Sequence, residues 1–148
     1  MIKRFASRAG PLLLGIWVII LVTSITGINL VPAASKHQAR TAGTVSSVMV
    51  ADLNGNNLPN WGDTVTFNVS TTATQYPSVE LDCYQNGSLV YTHSAGFYAT
   101  YPWPQSQNYI LQSYVWTGGA ADCTAKLYYM NSRGLSVTLT TLSIPVSP

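Results

Sequence analysis

The chain contains few of the residues on which enzymes and nucleic-acid-binding proteins depend. Only 8% of its 148 residues are charged, and it has two histidines and two cysteines. From Thr41 onward there are two basic residues and five acids, which gives that part a net charge of −3. No basic patch remains there to neutralise a phosphate backbone. We therefore expect no nucleic-acid partner.

Catalytic motifs are also missing from the sequence. A hydrolase needs a nucleophile, a base and an orienting group, but the histidines are only His37 and His93, and no GxSxG or HExxH motif occurs. We interpret His93 as an exposed strand residue. A glycosidase needs two convergent carboxylates, whereas alternation places Glu80 and Asp82 on the solvated face of one strand. We expect no catalytic residue, no cofactor and no enzymatic activity.

The N-terminal segment is the exception to the low charge. Lys3, Arg4 and Arg8 occur there without an acid, and an uncharged stretch follows from Ala9 to Ser35. A basic start followed by an apolar run is typical of an export signal. We therefore expect the remainder of the chain to lie outside the cytoplasm.

Two fates are open for residues 1–34. Residues 11–33 form an apolar stretch of 23 residues, which exceeds a usual signal core and suits a membrane-spanning helix of ~20 residues. The basic residues then hold the N-terminus in the cytoplasm. Small residues at Ala33 and Ala34, with Val31 before them, suit cleavage by a signal peptidase instead. The chain is expected to be membrane-anchored through one N-terminal hydrophobic helix, or secreted.

The rest of the chain has the patterning of an all-β domain. Residues 35–44 are polar and predict a linker, whereas residues 45–148 show apolar and polar residues in alternation, the period of half-buried strands. Asn86-Gly87 predicts a tight hairpin, and a change of phase predicts a bulge near Thr140. The sequence predicts an immunoglobulin-like antiparallel sandwich of about seven strands: Val45–Ala51, Asp63–Ser70, Ser78–Gln85, Ser88–His93, Asn108–Trp116, Asp122–Tyr129 and Leu135–Ile144.

The two cysteines predict one disulfide. An even count in an exported domain favours a bridge over two free thiols, the alternative that remains open. In the strand order above, Cys83 lies on the third strand and Cys123 on the sixth, which are neighbours within one sheet of such a sandwich. We expect a cross-strand bridge within a sheet, closing a loop worth roughly 4 kcal/mol in chain entropy.

Three segments resemble a known class of domain. "WGDTVTFNVS", "CYQNGSLVY" and "WTGGAADCTAKLYY" are similar to immunoglobulin-like (Ig-like) domains of small exported proteins of actinobacteria, related bacteria and their phages. The resemblance covers about Val45 to Ile144. It implies an extracytoplasmic sandwich used for display, adhesion or assembly, and it supplies no catalytic residues.

An aromatic segment is the best candidate for binding. "GFYATYPWPQ" contains Phe97, Tyr98, Tyr101 and Trp103, and its two prolines exclude regular strand pairing. The favoured interpretation is that the loop folds over an open end of the sandwich, with Trp103 filling the core. The alternative is an exposed loop that grips sugar rings or a protein partner.

"DLNGNNLPNWGD" has the oxygen spacing of a calcium loop. Its sixth residue is not glycine and its twelfth is the shorter aspartate, so a helix-loop-helix site is excluded. We interpret the stretch as the turn-rich connection between the first two strands and expect no metal. A looser calcium site stays as the lesser alternative, with these candidate ligands: Asp52, Asn54, Asn56 and Asp63.

Two functions follow as hypotheses. The first is a tethered or secreted Ig-like module that makes protein contacts, as an accessory subunit of an envelope assembly or in adhesion. Its partner is expected to be a protein, either a membrane protein or a second copy. The second is a carbohydrate-binding module that uses the aromatic loop.

Overall fold

The computed structural model describes residues 42–148, which contain seven β-strands and one 3-10 turn. The predicted all-β class is therefore confirmed. The strands are β1 (Gly43–Ala51), β2 (Thr64–Thr71), β3 (Ser78–Gln85), β4 (Ser88–Gly96), β5 (Tyr109–Ile110), β6 (Ala121–Met130) and β7 (Ser136–Val146), and the 3-10 turn is Pro104–Gln107.

The strands form two sheets. One has the order β1-β2-β5 and the other β4-β3-β6-β7, and every pairing between named strands is antiparallel. The predicted adjacency of the two cysteine-bearing strands, β3 and β6, is confirmed. β1 begins at Gly43, two residues earlier than predicted, because Gly43 and Thr44 pair with Thr71 and Ser70 of β2.

Both sheets contribute their apolar faces to one core. Val65 and Phe67 of β2 join Val79 and Leu81 of β3 in a single buried cluster. The opposite faces carry the polar members of each alternation, as the period of two requires. The largest fully buried side chains include Trp116, Tyr109, Leu81, Leu111 and Leu127.

The predicted long strand from Asn108 to Trp116 is wrong. Only Tyr109–Ile110 pair with β2. Leu111 then leaves the ladder, donating its N–H to the carbonyl of Asp63 at 2.8 Å and accepting the N–H of Gly62 at 3.0 Å. The large apolar residues that suggested a strand fill the core instead: Leu111 and Trp116 are both fully buried, and neither lies in a strand.

The two predicted local features are confirmed. Asn86 and Gly87 both adopt positive φ, at 49° and 80°, which is what a two-residue hairpin between β3 and β4 requires. In β7, Thr140 pairs with Leu127 while Thr138 pairs with Tyr128. Leu139 is therefore the extra residue of a bulge.

Alternating strand direction places the connections at two opposite ends. At one end lie Ala42 and the connections 72–77, 97–108 and 131–135; we call it the N-terminal end. At the other lie the connections 52–63, 86–87 and 111–120 together with the C-terminus; we call it the far end.

The predicted leader and most of the linker lie outside the described residues. Neither the predicted hydrophobic helix at residues 11–33 nor its cleavage can be placed on this structure. Within residues 42–148, no helix is long and apolar enough to cross a membrane.

Candidate functional site

Four aromatic side chains form a continuous series at the N-terminal end. Ring centroids are 5.3 Å apart for Tyr76 and Tyr98, 5.3 Å for Tyr98 and Tyr101, and 6.5 Å for Tyr101 and Trp103, each pair edge to face. We call these four residues the aromatic row. Its two ends face solvent, since Tyr76 is 61% exposed and Trp103 is 60% exposed.

The row lies on a fixed base. Gly96, the last residue of β4, lies directly beneath Tyr98 and Tyr101, and a Cβ there would overlap both rings. Tyr101 donates its N–H to the carbonyl of Tyr98 at 2.9 Å. Ser106 holds the C-terminal part of this loop. Its hydroxyl donates to the Trp103 carbonyl at 2.8 Å and is hydrogen-bonded to the Tyr101 hydroxyl at 3.1 Å. The rings are therefore held in place without a ligand.

The expectation that Trp103 fills the core is wrong. Phe97 packs against the core instead, as a partly buried side chain, edge to face on Phe67 at 6.2 Å and stacked on Tyr109 at 6.5 Å between ring centroids. Phe97 is therefore not part of the aromatic row, although the sequence predicted it as a binding residue. Tyr76 joins it from the connection between β2 and β3, which is bonded to the loop through the Phe97 N–H and the Pro77 carbonyl at 2.8 Å.

The segment that carries Tyr98, Tyr101 and Trp103 has no charged residue. From Cys83 to Ala121 the sequence contains no Asp, Glu, Lys or Arg. The polar groups of the row are therefore its tyrosine hydroxyls and the indole N–H, and its rings are apolar. Such a surface suits a neutral or amphipathic partner.

A second exposed apolar surface lies towards the far end. Tyr114 is fully exposed, Val115 is 70% exposed and Leu89 is 48% exposed. They line a shallow groove of about 420 Å³ between Leu89–Thr92 of β4 and Gln112–Val115. We call these three residues the Tyr114 surface.

The turn that carries Tyr114 and Val115 is fixed on both sides. The Ser113 hydroxyl donates to the Val90 carbonyl at 2.5 Å and accepts the N–H groups of Val115 and Trp116. Trp116 is fully buried. Its carbonyl accepts the indole N–H of Trp61 at 2.9 Å. Two apolar side chains are therefore presented to solvent on a rigid support.

His93 differs from its predicted exposed position. It is half-buried, its Nε2 is bonded to the Ser106 carbonyl at 2.8 Å, and its ring packs edge to face on Tyr109 at 4.9 Å. Gln107 donates to the Gly96 carbonyl nearby. Together with the Ser113 bond to Val90, these contacts cover the edge of β4, so His93 has a structural role.

Two tyrosines inside this region have perturbed hydroxyls. Burial raises the pKa of the Tyr91 hydroxyl to about 12. Burial, followed by the neighbouring Tyr91, raises the pKa of the Tyr109 hydroxyl well above its usual range. Tyr109 donates that hydroxyl to the Val79 carbonyl at 2.9 Å. With their pKa values raised in this way, both hydroxyls stay protonated at neutral pH.

The oxygens of the calcium candidates are bonded to backbone N–H groups. Asp52 accepts from Gly55 and Asn57, both at 2.7 Å, and the Asn57 bond is the main cause of the lowered pKa of its carboxyl. The buried Asp63 accepts from Leu53 through one oxygen and from Asn60 through the other, both at 2.8 Å. Asn54 and Asn56 each accept an N–H two residues ahead. The loop is thus folded by its own acceptors, and among residues 42–148 no three His, Cys, Asp or Glu side chains come together as a metal site requires.

The predicted disulfide is confirmed. Cys83 of β3 and Cys123 of β6 are direct partners in the ladder, with Cα atoms 4.0 Å apart, and their sulfurs are bonded. Both are buried in the core. On the opposite face, Glu80 pairs with Lys126 across the same two strands, which fits the predicted solvated side of β3.

No family model, no curated protein and no solved structure matches the chain. The two exposed surfaces and the sequence of the leader are therefore the features that point to a function.

Proposed function

We propose that the chain is an extracytoplasmic Ig-like module, membrane-tethered or secreted, that makes protein contacts. The leader supports export. The strand order supports the Ig-like assignment, since β1-β2-β5 and β4-β3-β6-β7 correspond to the A-B-E and C′-C-F-G strands of such domains. The intra-sheet disulfide suits an oxidising compartment.

The observation that carries the protein-contact function is the Tyr114 surface. The backbone that carries Tyr114 and Val115 is already fixed by the Ser113 hydroxyl, so a partner that binds there does not first have to order a mobile loop. Rigid, exposed aromatic and aliphatic groups beside a groove are typical centres of binding energy in protein interfaces. The partner is a protein that inserts apolar groups beside Leu89 and Tyr114.

A matched pair of variants tests this function. The tagged full chain is extracted from its host in mild detergent and sized under native conditions. We expect a complex larger than the monomer, and we expect Tyr114→Ser with Val115→Ser to reduce it to the monomer. Arg133→Ser, at the N-terminal end, serves as the control and leaves the complex intact. A wild-type chain that is monomeric throughout contradicts the function.

Export has its own test. The intact mass of the natively produced protein reports whether residues 1–34 are retained and whether the cysteines are oxidised. Retention gives the tethered form and removal gives the secreted form. A full-length protein in the cytoplasm with reduced thiols contradicts both.

The aromatic row favours a second function, carbohydrate binding. Exposed Tyr and Trp faces stack on sugar rings without needing charge, and the row is 60% exposed at Trp103. Retention on immobilised polysaccharides tests it: Trp103→Ala is expected to lose retention and Tyr114→Ser to keep it. Equal retention of all three proteins removes this function.

A further inference from the structure

The two exposed surfaces lie in different parts of the domain, and the chain enters beside only one of them. Ala42, the first described residue, accepts the Thr71 hydroxyl at 2.6 Å. Thr71 ends β2 and pairs with Gly43, and the connection that follows carries Tyr76 of the aromatic row. The chain before residue 42 therefore joins the domain at the end that carries the row. The Tyr114 surface lies instead towards the far end, on the connection 111–120 and beside the turn 86–87.

The length of the preceding chain limits where this end can be. In the tethered form of the proposed function, the membrane-spanning stretch ends near Ala33. The few residues between Ala33 and Ala42 reach at most ~30 Å when fully extended. In that form, Ala42 and the N-terminal end of the domain therefore begin within this distance of the bilayer, close enough for the row to reach it.

The chemistry of the row suits the zone next to the bilayer. Tyr and Trp are enriched at membrane–water interfaces, where an apolar ring meets lipid and a hydroxyl or indole N–H stays hydrated. Each member of the row has such a group. The segment that carries three of its members, from Cys83 to Ala121, has no Asp, Glu, Lys or Arg side chain that would need desolvation. The exposed rings of Tyr76 and Trp103 lie at its two ends.

We propose that the aromatic row rests in the headgroup region of the membrane that anchors this chain. This inference rests on the tethered form of the proposed function. In this arrangement the lipid surface covers the row. The far end, with its connections around Tyr114, then points away from the bilayer. A glycan on the row is the competing outcome.

Fluorescence quenching by brominated lipids tests the contact. The full chain, carrying Trp17→Phe to remove the tryptophan of the predicted span, is reconstituted into phosphatidylcholine vesicles with and without brominated acyl chains. We expect bromination to quench part of the tryptophan emission. That quenched part is lost in Trp103→Phe and kept in Trp61→Phe, whose substitution lies at the far end.

The outcomes separate the two proposals. Flotation of the protein with vesicles but the same quenching in all variants overturns the membrane contact and leaves the tethered function standing. A protein that does not float with vesicles overturns both the tethered form and the contact. Insensitivity of Trp103 to bromine, with emission that shifts on adding soluble polysaccharide, overturns the membrane contact in favour of a glycan site.

Discussion

Gly96 supports the ring of Tyr101: a side chain at position 96 would overlap that ring and would lie 2.5 Å from Tyr98. The aromatic row therefore depends on a residue that contributes no atoms to its exposed surface. The absence of a Cβ at the end of β4 allows both rings to approach the backbone closely.

Gly96→Ala should therefore destabilise the domain through overlap. We expect a loss of about 1–3 kcal/mol in the free energy of unfolding, the usual effect of overpacking. Gly87→Ala is the control, because its φ of 80° is unfavourable for alanine but nothing lies within 4 Å of its Cβ position. Adding both Tyr98→Ala and Tyr101→Ala should relieve the first variant and not the second, because both rings lie against position 96. Equal effects in both backgrounds would show that the rings do not rest on Gly96.

Asp63→Asn should be among the most destabilising single changes in the β1–β2 connection. The fully buried carboxylate of Asp63 accepts N–H groups from Leu53 and Asn60, and an amide can accept only one of them. We expect a loss of about 2–4 kcal/mol in urea unfolding. Asn54→Ala, in the exposed part of the same loop, should cost about 0.5 kcal/mol or less. Comparable losses would contradict the assigned role of Asp63.

Replacing both cysteines tests the disulfide. Cys83→Ala with Cys123→Ala removes a bridge with a sequence separation of 40, and we expect a loss of about 2–4 kcal/mol in the free energy of unfolding. Thermal unfolding of the wild type should shift downward with reductant. The double variant provides the control, since reductant should leave its transition unchanged.

Alkaline pH should destabilise the fold through Tyr91. An unfolded tyrosine ionises near pH 10, whereas the folded pKa of Tyr91 is raised to about 12. The stabilising effect is therefore complete below pH 10 and is lost as the pH rises towards 12. Tyr91→Phe should reduce this dependence by removing one of the two titrating groups, and the raised pKa of Tyr109 should keep the remainder. Tyr76→Phe should not reduce it, since Tyr76 is exposed.

Calcium should leave the melting temperature unchanged. Because Asp52 and Asp63 already accept backbone N–H groups, a cation would have to compete with those bonds. Melting curves with excess calcium and with a chelator are expected to coincide. A rise in melting temperature with calcium, absent in Asp52→Asn, would restore the looser calcium site.

The sequence could predict the strands because alternation is a local signal. Val65 and Phe67 face the core, and their polar neighbours do not, as the period of two requires. The same locality made the Cys83–Cys123 bridge predictable once the strand order was assumed. Strand propensity gave the wrong answer where tertiary contacts decide the structure. Composition alone extends the fifth strand to Trp116, whereas its pairing with β2 ends at Ile110.

The candidate site was less predictable for the same reason. Composition marks Phe97 and Trp103 as equally apolar, and only the packing on Phe67 and Tyr109 makes Phe97 the one that is partly buried against the core. Tyr76 comes from another connection, so no local pattern joins it to the row. No sequence motif marks Tyr114. It is exposed because Ser113 is bonded to Val90 on one side of the turn and Trp116 to Trp61 on the other.

Site-specific photo-crosslinking in intact cells tests the central claim most directly. A benzophenone amino acid is placed at Tyr114 or, as the control, at Arg133, which is exposed at the N-terminal end. Irradiation should yield a discrete protein adduct from position 114 and none of that size from position 133. Addition of Val115→Ser should weaken the adduct. No adduct from position 114, or the same adduct from both positions, would contradict the claim that the Tyr114 surface is where this module contacts its partner.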